Sequence, residues 1–69
     1  MELIPVVSST FHTVGYDENS QTLEVHFNNG SVYQYAGVPA SENEGFMNAA
    51  SKGTYYNANI KNRYSYIKQ

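Results

Sequence analysis

Thr22 to Tyr35 reads TLEVHFNNGSVYQY, and the pairing this stretch permits across its turn decides the fold. Leu23, Val25 and Phe27 alternate with Glu24 and His26, and Tyr33 and Tyr35 alternate with Val32 and Gln34, so both arms carry the two-residue period of a strand. A two-residue Asn29-Gly30 loop would pair Val25 with Gln34 and His26 with Tyr33, mixing polar and apolar residues on both faces. A three-residue Asn28-Asn29-Gly30 loop, with Gly30 left-handed at a bulge, pairs Val25 with Tyr33 and Leu23 with Tyr35. The second arrangement gathers Leu23, Val25, Phe27, Tyr33 and Tyr35 on one face and leaves Glu24, His26, Val32 and Gln34 on the other. It is the register expected.

Working outward, Thr10 to Tyr16 (TFHTVGY) is β-branched and aromatic and is joined to Thr22 by the turn-forming DENSQ, giving a first hairpin. Leu3 to Val7 is apolar enough for an edge strand limited by Pro5, and Tyr64 to Lys68 (YSYIK) alternates as a closing strand. Ser41-x-x-Glu44 has the form of a capping box. Phe46, Ala49 and Ala50 follow at helical spacing, so a helix of roughly ten residues is expected, stopping at Gly53. Gly45 weakens that helix by about 1 kcal/mol relative to alanine. TYYNANIKNR, Thr54 to Arg63, lacks a clear period and reads as a structured loop or a short helical turn. The expected fold is α+β: one domain over residues 1–69, a small antiparallel β-meander of three to five strands with one helix packed on it.

Composition removes several function classes. With 69 residues and 41% apolar content the chain holds one core, and no run approaches the roughly 18 apolar residues of a spanning helix. The start, MELIPVVSST, has neither the basic region nor the apolar length of a signal peptide, so a cytoplasmic location is expected, away from membranes. The absence of cysteine excludes disulfides, thiolate metal sites and a cysteine nucleophile. Ordering residues at about 1.5 kcal/mol each sets about 100 kcal/mol against folding. Large aromatic burial is therefore needed, for which the chain has seven tyrosines and three phenylalanines, and a homo-oligomer would add more.

The net charge of −2 conceals a segregation. All six carboxylates (Glu2, Asp17, Glu18, Glu24, Glu42, Glu44) precede all four cations (Lys52, Lys61, Arg63, Lys68). Such asymmetry points to an anionic partner at a local site, while a pI near 5.5 argues against strong unspecific binding to duplex DNA. The alternative is a solvated basic tail.

Ser51-Lys52-Gly53-Thr54-Tyr55-Tyr56-Asn57 and Lys61-Asn62-Arg63-Tyr64-Ser65-Tyr66 interleave cations with tyrosines and asparagines. Single-stranded RNA or a nucleotide needs this set: charges and a guanidinium fork for phosphate, flat rings for bases, amides for base edges. The competing reading is that Tyr55, Tyr56, Tyr64 and Tyr66 fill the core, and for two of the four it is preferred. No catalytic, metal or cofactor site is expected: His12, His26 and Glu24 lack a third ligand at motif spacing, Ser8-Ser9 reads as a backbone-capping pair, and no phosphate-loop or dinucleotide fingerprint is present.

The order of motifs carries a resemblance. Ser8-Ser9, Gly15-Tyr16-Asp17, Leu23-x-Val-x-Phe27, Gly30-x-x-Tyr33-x-Tyr35-x-x-Val38-Pro39, Ala49-x-Ser51-Lys52-Gly53, Tyr55-Tyr56-Asn57 and Ile60-x-x-Arg63-Tyr64-x-Tyr66 together resemble the KTSC domain. That short module is found at the C-terminus of some lysyl-tRNA synthetases and as a free-standing bacterial or phage protein. The resemblance implies RNA binding, with Lys52, Tyr56, Asn57, Arg63 and Tyr64 at the matching positions. Glu42 and Asn43 depart from the apolar and aromatic residues the family usually has there, so a less tightly packed helix is expected. Lys61 stands where the family often has arginine.

The function expected is a non-enzymatic RNA-binding module, its phosphate and nucleic-acid contacts made by Lys52, Gly53, Tyr56, Asn57, Lys61, Arg63 and Tyr64. Loss of charge at Arg63 should then matter more than at Lys68. The alternatives are a protein that sequesters a small nucleotide as an oligomer, and a protein-interaction module.

Overall fold

The computed structural model describes residues 1–69. Five strands form one antiparallel sheet in sequence order: β1 (Glu2–Pro5), β2 (Phe11–Asp17), β3 (Thr22–Phe27), β4 (Val32–Tyr35) and β5 (Tyr66–Lys68). The central hairpin has the expected register, with Leu23 opposite Tyr35 and Val25 opposite Tyr33. Gly30 sits at φ +95°, where a side chain would be strained, and its N–H bonds the Phe27 carbonyl at 3.0 Å.

The hydrophobic alternation translates directly into burial. Val14 of β2, Leu23 and Val25 of β3, and Tyr35 of β4 face one way and are buried. A register shift between Phe11 and Thr13 places a bulge at the start of β2. Phe11 becomes the hub of the aromatic core, with ring centroids 4.9 Å from Phe27, 5.6 Å from Phe46 and 5.2 Å from Tyr56.

Two helices, rather than the one expected, cover this face: α1 (Ala40–Asn48) and α2 (Lys52–Asn59). The Ser41-x-x-Glu44 capping box does not form. Pro39 is the N-cap, and its carbonyl accepts from the N–H groups of Glu42 and Asn43 at 3.0 and 3.2 Å. Gly53 does not stop a helix either. The chain turns extended at Ala49 and Ser51, and the Ser51 hydroxyl accepts from the Thr54 N–H at 3.3 Å, which starts α2 with Gly53 inside its first turn. The segment read as a structured loop or a short helical turn is thus mostly helix, two turns rather than one. It escapes a periodicity test because Tyr56 and Ile60, one turn apart, are its only fully buried residues.

The first turn of α1 is anchored, not loose. Glu42 Oε2 accepts the Tyr55 hydroxyl, and Glu42 Oε1 accepts the Tyr64 hydroxyl at 2.9 Å and Arg63 Nη1 at 3.4 Å. Tyr64 therefore leaves the line of β5, which begins only at Tyr66. The opposite sheet face carries no helix. There Glu24 lies 2.6 Å from His26 Nε2 and accepts from Gln34 Nε2 at 2.7 Å.

Candidate nucleic-acid interface

A cavity of about 310 Å³ opens between the β3–β4 turn, β5 and the end of α2. Its apolar lining is Phe27, Tyr33, Tyr35, Tyr56 and Tyr66, and its polar lining is Thr10, Asn29, Ser31, Asn57 and Lys61. The sheet register explains this convergence. Tyr66 pairs with Tyr35 on the helix-facing side, which brings it flat against Tyr33, ring centroids 5.0 Å apart and planes 10° from parallel. Tyr66 is 53% exposed, so this stack presents an open ring at the margin of the cavity.

Deeper in, the Tyr35 and Tyr56 hydroxyls bond each other. Burial, followed by that bond, pushes the Tyr35 phenol far above its ordinary value, and burial raises Tyr56. Lys61 is the one charged residue in the lining, is exposed, and takes part in neither ion pair of the protein. No carboxylate lines the cavity, so the site is polar with a positive edge.

The seven residues singled out from the sequence do not all meet. Tyr56, Asn57 and Lys61 line the cavity. Gly53 supports it from behind, since a Cβ there would stand 2.7 Å from the hydroxyl of Thr10, itself a lining residue. Lys52 folds back onto the Ala49 carbonyl at 3.4 Å. Arg63 and Tyr64 belong to the Glu42 cluster, the guanidinium lying 5.8 Å from the Tyr64 ring centroid. The cations are divided between different surroundings and do not form one cradle.

Sequence reasoning missed Tyr33, Asn29, Ser31 and Thr10 as site residues, and it named Tyr66 in the cation–tyrosine stretch without carrying it into the seven. The preferred register had placed Tyr33 on the core face, but pairing of Tyr66 beside it depends on β5 returning across 30 residues.

A family model, that of the KTSC domain, matches residues 7–64. The chain belongs to the KTSC domain family. A crystal structure of a KTSC domain protein from Yersinia pestis superposes with a TM-score of 0.93 at 38% identity, covering 99% of this chain and 96% of that one. A lysine–tRNA ligase of Nostoc punctiforme is 38% identical over 64 residues, 93% of this chain but 11% of the ligase. A protein of Stutzerimonas stutzeri is 34% identical over 61 residues, covering 88% of this chain and 86% of its own length. This KTSC domain thus spans about a tenth of the ligase and nearly the whole of the smaller relative. No helix in it is long and apolar enough to cross a membrane.

Proposed function

We propose that this KTSC domain is a non-enzymatic module that binds single-stranded RNA at the tyrosine-lined cavity. The reading is carried by one observation: an open tyrosine stack, Tyr33 on Tyr66, stands beside Lys61 and the Asn29 and Asn57 amides at a cavity without carboxylates. Rings give sequence-tolerant stacking, the ammonium takes a phosphate, and amides take base edges. The domain's similarity to the end of a tRNA-charging enzyme supports RNA over other polyanions.

The half-buried acid–base groups Glu24, His26 and Glu42 are otherwise engaged. Glu24 holds His26 and Gln34, and Glu42 holds two phenols and a guanidinium, which favours a binding role over a catalytic one. The test is titration of a labelled single-stranded RNA oligonucleotide by fluorescence anisotropy at low salt. Saturable binding that weakens with salt, and that is clearly weaker in Lys61→Ala and Tyr66→Ala proteins of unchanged thermal stability, is expected. Equal affinity of parent and both variants would end this assignment.

A further inference from the structure

The hydroxyls of Tyr35 and Tyr56 contain one proton more than their mutual bond uses. Tyr35 is 1% exposed and Tyr56 5% exposed, and neither hydroxyl has another partner in the chain. One O–H can donate into the other oxygen, and the second proton then has no acceptor. Both residues line the cavity, so the O–H of the pair that is not used in their mutual bond is a donor available to an acceptor bound there. The lining around it is flat and apolar, built from Phe27, Tyr33 and Tyr66. At about 310 Å³ the space lies at the small end of small-molecule sites, suited to one planar ring and its attachments. Lys61 contributes one positive charge at the same cavity.

Resting on the RNA-binding reading, we infer that the cavity takes a single unpaired nucleotide with a carbonyl-bearing base. Its ring stacks on Tyr66, a base carbonyl accepts from the Tyr35–Tyr56 hydroxyl pair, and one phosphate meets Lys61. A pyrimidine such as uracil, compact and with two carbonyls, fits this description best. The unit is supplied either by an RNA strand or by a free nucleotide, since ring, carbonyl and phosphate are common to both.

Uridine 5′-monophosphate, uridine and hexauridylate are titrated into the 69-residue protein, followed by amide chemical shifts and by affinity as a function of salt. Uridine monophosphate is expected to shift Asn57, Lys61 and Tyr66 saturably. Its binding should weaken as salt rises, through screening of the phosphate–Lys61 attraction. Uridine, without phosphate, should bind more weakly and show no salt slope. Lys61→Met should bring the monophosphate down to the affinity of uridine. Tyr66→Leu, a surface change, should cost roughly 5- to 100-fold through lost stacking. The Tyr35→Phe/Tyr56→Phe double variant removes donor and acceptor together, a replacement that leaves folding nearly unchanged, and should lose about tenfold in affinity.

If hexauridylate binds and weakens in both Lys61→Met and Tyr66→Leu while uridine monophosphate does not bind, the one-nucleotide inference falls and RNA binding stands. Monophosphate binding without hexauridylate binding identifies free nucleotide as the source and overturns the RNA reading alone. Failure of both probes overturns both.

Discussion

The phenol of Tyr55 lies across Gly45, so close that a Cβ at position 45 would stand 2.5 Å from its oxygen and 3.1 Å from Cζ. A glycine that looks like a flaw in α1 is the contact point at which α2 docks. Gly45→Ala should therefore destabilise the protein despite a gain of about 1 kcal/mol in helix propensity, because overpacking typically costs 1 to 3 kcal/mol, roughly. The check is the urea midpoint of the variant. A raised midpoint would show that Tyr55 can move aside freely.

Glu42, with a side chain only 11% exposed, gathers Tyr55, Tyr64 and Arg63. Glu42→Ala should lose about 1.5 to 3 kcal/mol, the range for hydrogen bonds to a charged group left without its partner. Glu42→Gln, which keeps an accepting oxygen, should lose less. A double-mutant cycle with Tyr64→Phe should show coupling, read from denaturant unfolding, and strictly additive losses would contradict a shared cluster.

On the helix-free face, the hydrogen bond from Gln34, then that from His26, holds the Glu24 carboxyl below the ordinary glutamate value of 4.5. A native value below the unfolded one means this stabilisation is complete above about pH 4.5 and drains away as pH falls through the native value. Glu24→Gln should flatten the acid limb of stability against pH, measured by thermal unfolding, with the alkaline limb unmoved.

At the other extreme, five phenols are held above the ordinary tyrosine value of 10.0: Tyr16, Tyr35, Tyr56 and Tyr64 chiefly by burial, and Tyr55 chiefly by its bond to Glu42. Raised native values mean the contribution is complete below about pH 10 and disappears as pH climbs beyond it. Alkaline titration followed by tyrosinate absorbance should show these five rings ionising together with loss of the fold. Tyr35→Phe/Tyr56→Phe should push that transition to higher pH.

Lys61 and Arg63 are two residues apart yet should behave differently toward RNA. Arg63 is already held by Glu42, whereas Lys61 lines the tyrosine cavity without an ion partner. Lys61→Ala is expected to reduce the salt slope of oligonucleotide binding by about 0.7, and Arg63→Ala to change stability more than slope. Slopes from anisotropy titrations at several salt concentrations decide this, and the reverse ranking would place the phosphate contact at Arg63.

Much of this architecture was legible along the chain because sheet register is a local property. The period-two pattern of TLEVHF and VYQY, with Asn28-Asn29-Gly30 between them, permits one pairing that puts Leu23, Val25, Phe27, Tyr33 and Tyr35 on one side, and that pairing is present. The second helix was not legible for an equally physical reason. Its sequence, KGTYYNAN, has a hydroxyl cap at Ser51 but buries one side chain within its own span, too little to impose a helical period.

By itself, the sequence determined the meander, the register of its β3–β4 hairpin, its dependence on aromatic burial and the family to which the chain belongs, since all of these follow from neighbours close in sequence or from motif order. The tertiary structure alone decided which cations are free and which rings are open. Glu42 reaches Arg63 and Tyr64 across more than 20 residues, and β5 returns to lay Tyr66 on Tyr33. Competition between carboxylate and solvent for a guanidinium, or between core and surface for a phenol, is settled by distances in the folded chain, which spacing along it does not encode.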